Sequence, residues 1–305
     1  MRSSGKAETT EMARRGWGAA ERRHPNRAVI LRILSVSHIV SIGNISIVAG
    51  DKTKTLVQLL DRLIARMGRR RWYLLIGVLI AYALLTMAVI FGSPLDALDH
   101  RAAAMDLAQR WPDVKPWILH YVMIGQRAPS AAAAGALVIY LSWRRRTAQP
   151  LVMLAVGLAL LNVSVGAVKV STGRLGPLLT THPHAVFDGG DIFPSGHTSN
   201  AVVVFGILVL LTAPTYRRLV TAVAVFVAVT VGLSTIFLDT HWVTDVLGGW
   251  LAGSLILLIL PEVTLVTMRA LHGARARWHI WRTFRRTGGP PEDWRDHSQP
   301  ELAKR

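Results

Sequence analysis

The sequence predicts an all-α membrane protein, a bundle of about six spanning helices, and three observations carry that reading. The 305 residues are 51% hydrophobic and only 17% charged, whereas a soluble domain of this size needs more charge to wet its surface. The apolar residues are gathered into runs that approach the ~20 residues a helix needs to cross a bilayer. Most arginines fall at the ends of those runs and in the two termini, where lipid headgroups would meet them.

Residues 1–28 are polar and basic, with no apolar core leading to a small-residue cleavage site, so they read as a surface arm and not a cleavable signal peptide. Residues 29–50 are apolar but interrupted by Arg32, Ser35, Ser37, His38, Ser41 and Asn44. They suit an interfacial or partly buried segment better than a span. In 53–68, Leu56, Leu59, Leu60, Leu63 and Ile64 recur at helical spacing while Asp61, Arg62 and Arg66 take the other face, as in an amphipathic helix on the membrane surface.

Six stronger runs follow: 72–92, one within 117–143, 150–168, 198–213, 219–238 and 243–261. The start of the second is blurred by Gln126 and Arg127, and the fourth is short unless His197 and its neighbours extend it. Basic clusters at 69–71, 144–146, 217–218 and 269–286 alternate with the segments 94–116, 169–196 and 239–242. An even number of spans requires that alternation. The excess of Lys and Arg then places both termini in the cytoplasm and the other loops on the exterior or periplasmic side of a plasma (inner) membrane. The 269–286 stretch suits a short basic helix with Trp278, Trp281 and Phe284 against lipid, and from Gly288 on the tail is polar and expected to be mobile. Gly248, Gly249 and Gly253 allow helices to approach closely. The chain shows no internal repeat and no low-complexity tract beyond the alanines at 131–134.

The formal net charge of +17 comes without any recognised nucleic-acid-binding module, so anionic lipids at the cytoplasmic face are the expected partners and nucleic acid is not. The absence of cysteine excludes disulfides, cysteine-ligated iron–sulfur clusters and thiolate catalysis. Oligomeric state is not legible.

The residues that could do chemistry collect at one side of the expected membrane. His241 and Asp245, four apart, share a helix face, so the carboxylate can fix one imidazole nitrogen and free the other to attack. Alone, that spacing equally suits a structural pair at a helix end. Pro194-Ser195-Gly196-His197 precedes the fourth run, where a tight turn opening a helix can present backbone N–H groups to an anion. Ser195 adds a hydroxyl and His197 a proton donor, although a capped helix beside a surface histidine has the same sequence. Lys169 and Arg174 could clamp phosphate oxygens or anchor a helix end among headgroups. His182, His184, Asp188 and Asp191 lie together in the 169–196 loop, which suits a cover over the site better than a metal centre. His38 and His120 read as structural, and Asp239 as a loop carboxylate close enough to His241 to tune it.

The three blocks, in this order, resemble those of the type 2 phosphatidic acid phosphatase (PAP2) superfamily. Its pattern is a lysine, six residues and Arg-Pro, then Pro-Ser-Gly-His, then Ser-Arg, five residues, His, three residues and Asp. Here the first block runs from Lys169 through Arg174 to Gly176-Pro177, the second is complete, and the third runs from Ser234-Thr235 to His241 and Asp245. The motifs cover roughly 150–265, and the six-span pattern extends the likeness to about 72.

The resemblance implies a six-transmembrane-helix bundle of PAP2 type over 72–264, flanked by an N-terminal arm with interfacial amphipathic segments (1–71) and a basic cytoplasmic tail (265–305). It further implies hydrolysis of a membrane lipid phosphate or diphosphate at the outer face, with no metal and no cofactor. His241 would attack phosphorus to form a phosphohistidine, Asp245 would orient it, and His197 would protonate the leaving oxygen and then activate water. Lys169, Ser195 and the Gly196 backbone would hold the phosphoryl oxygens. Polyprenyl phosphates or diphosphates, phosphatidic acid and phosphatidylglycerol phosphate are the candidate substrates, with family habit leaning to a polyprenyl diphosphate. Two family arginines are missing, replaced by Gly176 and Thr235. Arg174 is the expected replacement for one, Thr235 offers only a neutral hydrogen bond, and Arg127 is a second possible substitute. Two other functions stay open: a phosphotransferase passing the phosphoryl group to a hydroxyl, and a catalytically silent protein that binds lipid phosphate.

Overall fold

The computed structural model describes residues 67–287, so the expectations for 1–28, 29–50, nearly all of 53–68 and the tail from Gly288 lie outside the described residues. Within them are nine α-helices and no strand: α1 (Arg69–Phe91), α2 (Leu95–Ala103), α3 (Leu107–Arg110), α4 (Lys115–Val122), α5 (Arg127–Arg145), α6 (Gln149–Thr172), α7 (Gly196–Leu211), α8 (Pro214–Phe237) and α9 (Val243–Thr287). The all-α class therefore holds for the described residues.

Four of these helices, α1, α6, α8 and α9, are long and apolar enough to cross a bilayer. The expected second span is not one helix. It is α4, a 3-10 turn at Met123–Gly125 and α5, bent by 55° at Gln126, a pair that adds a fifth crossing only where its two halves act as one span. Gln126 breaks the helix by adopting an extended backbone (φ −71°, ψ 145°). The expected fourth span, α7, has only 16 residues. At 1.5 Å per residue it reaches about 24 Å, less than the ~30 Å hydrocarbon core. The expected end of the sixth span at Pro261 is also absent, because α9 continues for 45 residues and carries the basic 269–286 stretch as one helix with it. Carbonyls freed by an interior proline can be satisfied by local adjustment, which makes such prolines tolerable in membrane helices.

Apolar side chains face both inward and outward. On α1, Leu74, Leu79, Ile80, Leu84 and Met87 are exposed, as lipid-facing residues must be, and only Leu85 and Val89 are buried. The core lies among α5, α6, α7 and α9, where Val138, Leu161, Val203, Ile207 and Leu260 have almost no exposed surface. Glycines set the approach of α7 to α9. A Cβ at Gly249 would stand 2.8 Å from the Thr198 Cβ and 2.9 Å from the Ser195 carbonyl oxygen, and one at Gly253 would stand 3.1 Å from the Ser199 oxygen. Backbone therefore meets backbone along this seam, and the start of α7 is fixed against the start of α9.

Overpacking a closed helix seam costs about 1–3 kcal/mol. Gly249→Val is accordingly expected to lower the melting temperature in detergent by several degrees. Gly77→Val, at a position with nothing within 4 Å, should not. Matching melting curves for the two variants would contradict the α7–α9 packing.

Candidate active site

Four helix ends and one loop converge. The carboxyl end of α6 carries Lys169, the amino end of α7 carries Gly196 and His197, α8 ends at Phe237, and α9 starts just after His241. The connection from Gly173 to Ser195 is tied down by its own backbone: Phe187 N–H donates to the Thr172 carbonyl (2.8 Å), Gly190 N–H to Gly173 (2.9 Å) and Ile192 N–H to Arg174 (3.2 Å). A Cβ at Gly190 would lie 2.1 Å from the Arg174 oxygen, so only glycine fits there.

Asp245 does two jobs in the first turn of α9. Its Oδ2 accepts the Trp242 N–H (2.9 Å), capping the helix, and lies 3.5 Å from His241 Nδ1. His241 Nδ1 is buried with no hydrogen-bond partner among the described residues, so the expected carboxylate–imidazole bond is present as a close approach at the limit of reach. Such contacts are often long without a bound substrate. The His197 and His241 rings meet edge to face, with centroids 6.3 Å apart and planes at 69°. Histidines 44 residues apart in sequence thus meet at one place.

Cations flank the pair. A Cβ at Gly196 would sit 3.6 Å from Lys169 Cε and 3.9 Å from an Arg127 Nη atom, so both side chains reach the opening of α7. The Lys169 ammonium donates to the Asp191 carbonyl. Arg127 is the first residue of α5, directly after the break at Gln126. That break is held from α7 by Asn200, whose Nδ2 donates to the Gly125 carbonyl (3.0 Å) and Ser130 Oγ (2.7 Å). Arg127, named from sequence only as a possible substitute, is the arginine the structure brings to Gly196.

Arg174 has a different place from the one expected of it. It is fully buried and every arm is engaged: Nε donates to the Pro183 carbonyl (2.9 Å), Nη1 to Thr244 Oγ1 (2.7 Å) and Asp245 Oδ1 (2.5 Å), and Nη2 to Asp99 Oδ2 (2.8 Å). With each of its three nitrogens engaged and no exposed surface, it is not placed to clamp a phosphate; it stands behind Asp245. Asp99 also accepts from Thr244 N–H (2.9 Å) and Thr244 Oγ1 (2.5 Å).

Three other expected groups are turned elsewhere. The Ser195 hydroxyl is buried and caps α7, accepting from Thr198 Oγ1 (3.0 Å) and Thr198 N–H (3.4 Å), and its N–H donates to the Asp245 carbonyl (2.9 Å). The Thr235 hydroxyl donates to the Gly232 carbonyl of its own helix (2.7 Å) and is buried, so it offers the site no hydrogen bond. Asp239 sits in a left-handed turn (φ 53°) among other loop groups. Burial and the nearby Asp106 carboxylate push its carboxyl above the usual range, against the opposing pull of Lys115. Gly176 is also closed off, because a Cβ there would stand 3.0 Å from Ile192 Cδ1. An arginine could not enter without moving Ile192.

Asp99 and Thr244 were missed in the sequence. Asp99 lies in a short helix beside Asp96, and nothing in local spacing separates the buried carboxylate from its neighbour. Thr244 could have been suspected, since it adjoins Asp245 inside the third motif. His182, His184, Asp188 and Asp191 do not gather three metal-ligating side chains, among the described residues, and His184 Nδ1 instead lies 3.2 Å from the Val89 carbonyl.

Parts of this chain match known proteins in sequence and in fold. A phosphatidylglycerophosphatase B from Bacillus subtilis is 37% identical over 70 residues, covering 21% of this chain. The chain spans only 34% of that relative's length. A crystal structure described as the first transmembrane PAP2-type phosphatidylglycerolphosphate phosphatase, also from Bacillus subtilis, superposes with a TM-score of 0.51 at 23% identity, covering 62% of this chain and 94% of that one. The model of the PAP2 superfamily matches residues 150–269, the stretch that contains all three motifs, His197 and His241.

Proposed function

We propose that the protein hydrolyses a lipid phosphate, without a metal, through a phosphohistidine on His241. The observation that supports this most is the pairing of the His197 and His241 rings at 6.3 Å beside two cations and a helix amino terminus. A near-attack approach of about 3–3.5 Å to phosphorus on one side, and a hydrogen bond to the leaving oxygen on the other, suit two rings at this separation.

In the proposed reaction the nitrogen of His241 that faces away from Asp245 attacks phosphorus. The N–P bond forms as the P–O bond to the lipid breaks, and His197 gives its proton to the departing oxygen. His197 then takes a proton from water as that water attacks phosphorus, releasing inorganic phosphate and restoring both imidazoles. Lys169, Arg127 and the first N–H groups of α7 hold the non-bridging oxygens, where charge shifts during transfer. Asp245, held by Arg174, favours the cationic form of His241 that develops along the way.

Counting α7 and the bent pair gives six crossings. The basic clusters then put both termini in the cytoplasm and the site at the outer face of the plasma (inner) membrane. The substrate class is a lipid phosphate monoester or diphosphate. The names of the two matched relatives support phosphatidylglycerol phosphate as a first substrate to assay, ahead of the polyprenyl diphosphate that family habit suggested.

His241→Ala is expected to abolish phosphate release from a panel of lipid phosphates in detergent while leaving the melting temperature unchanged. Activity equal to wild type would overturn the mechanism. A wild type that binds these lipids and never turns them over would establish the silent alternative, and a phosphorylated acceptor would establish the phosphotransferase.

Removing one fixed donor to a developing oxyanion costs about 10²–10³ in kcat. Arg127→Ala should fall in that range and Arg127→Lys should recover part of it. Unchanged kinetics in Arg127→Ala would remove Arg127 from the site.

Arg174→Ala should lose turnover and stability together, because it strands two buried carboxylates, a change that costs about 3–5 kcal/mol in other buried pairs. A variant that melts with wild type but turns over slowly would return Arg174 to a clamping role.

A further inference from the structure

Asp99 belongs to none of the three motifs, yet it is fully buried on α2 and ion-paired with Arg174. Its hydrogen bonds assign its charge state. Oδ1 accepts the Thr244 N–H (2.9 Å), and Oδ2 accepts from Arg174 Nη2 (2.8 Å). The Thr244 hydroxyl accepts from Arg174 Nη1 (2.7 Å), so its own hydrogen is left for Asp99 Oδ2 (2.5 Å). Each of these contacts brings a donor to the carboxyl, and a protonated Asp99 would set hydrogen against hydrogen. Burial pushes this carboxyl above the usual range, and the bonds from Thr244 and Arg174 pull it back.

The charge of Asp99 changes what Asp245 can do. Arg174 and Asp245 alone would cancel, whereas Arg174 shared between two carboxylates leaves the buried trio with one net negative charge. The other groups around His241 pull the opposite way. Lys169 from α6 and Arg127 from α5 reach the opening of α7, and the His197 ring lies 6.3 Å away. Asp239, half-buried two residues before His241, is drawn into its own set with Asp106 and Lys115. Cations that would hold a phosphate also oppose positive charge on the ring that attacks it. Forming the N–P bond makes the His241 ring cationic, so negative charge behind the ring must offset them. Asp245 Oδ2, 3.5 Å from His241 Nδ1, is where that charge is felt.

We propose that Asp99 is a positioning residue for the reaction: by taking up the charge of Arg174 it leaves Asp245 free to act as a full negative charge on the His241 imidazolium. This inference rests on the hydrolase reading above. Asp99 acts through Arg174 and Thr244, and it also holds the start of α9 from a separate helix by accepting the Thr244 N–H. Among so few groups shielded from water, one unit of charge has a long reach.

The test follows phosphate release from phosphatidylglycerol phosphate across pH, with the full-length protein in detergent. His241 must be neutral to attack, so activity rises with pH as the ring loses its proton. Asp99→Asn keeps the shape and removes the charge, so the imidazolium is less favoured and this acid limb should move to lower pH. The expected displacement is about one pH unit, with turnover at the plateau reduced about tenfold. Asp99→Glu keeps the charge and should hold the limb at its wild-type position, whatever its melting temperature. A purely structural Asp99 predicts lower stability and lower activity with the limb in place. An unmoved limb in folded Asp99→Asn, or an equal displacement in Asp99→Glu, therefore overturns the proposal. If Asp99→Asn does not fold, Asp99→Glu decides: a limb at the wild-type position supports the proposal and a displaced one overturns it. A wild type that releases no phosphate defeats the hydrolase reading and this role with it, whereas an active wild type with an unmoved Asp99→Asn limb defeats this role alone.

Discussion

The site depends on one guanidinium held between two carboxylates. Arg174 bridges Asp99 and Asp245, none of the three has exposed surface, and the residues come from three places separated by 75 and 71 positions in sequence. Burying charges this way gains little net stability, because desolvation offsets the attraction. Its effect is on geometry. Each polar side-chain atom of the trio has a partner: Thr244 and Trp242 donate to the carboxylates and the Pro183 carbonyl takes the third arm of Arg174. With Asp245 pinned on both oxygens, the start of α9 and the ring of His241 beside it have little freedom. Loss of any one member would leave an uncompensated charge where water cannot reach.

This arrangement explains which parts of the site were legible in the sequence. His241 and Asp245 are four apart and share a turn, so a local rule joins them. Pro194 to His197 reads as a helix opening for the same reason. The meeting of His197 with His241 was legible only through the recurrence of known motifs in order. Arg174 was misread because proximity to the missing arginine of the first block suggested shared duty, whereas its direction is set by Asp99, a residue from a distant short helix with no motif around it. The break at Gln126 was visible as a blur of polarity within an apolar run, but its angle was not, since the restraint comes from Asn200 on another helix. The all-α class, by contrast, needed only the lengths and composition of the runs.

The departures from the family pattern are coupled to local packing. Gly176 lies against Ile192, and the Thr235 hydroxyl is turned into its own helix, so an arginine at position 176 would require Ile192 to move and Thr235 directs no polar group to the site. Positive charge is nonetheless present at the mouth of α7. It arrives through Arg127, which a continuous second span would have carried along the helix flank instead of into the opening at Gly196. The bend is therefore more than a flaw in a membrane helix: it exchanges an unbroken backbone ladder for a cation at the site. The backbone groups it frees are met in part by Asn200 at Gly125 and by Ser130, whose hydroxyl donates to the Gln126 carbonyl at 2.6 Å.

The shortness of α7 belongs to the same logic. A helix of about 24 Å cannot fill a ~30 Å hydrocarbon layer, so its amino terminus must be met by other structure. That structure is the tied loop from Gly173 to Ser195, together with the ends of α6 and α9. Irregular backbone is tolerated at such a depth only where protein or a polar cavity surrounds it, and here it is surrounded by both cations and imidazoles. The positive end of α7 then points at the His197 and His241 rings and the flanking cations. In the proposed reaction a lipid phosphate meets that helix end at headgroup depth while its lipid stays in the bilayer, so the shortness that made the fourth run a poor span suits a reaction that does not extract the lipid.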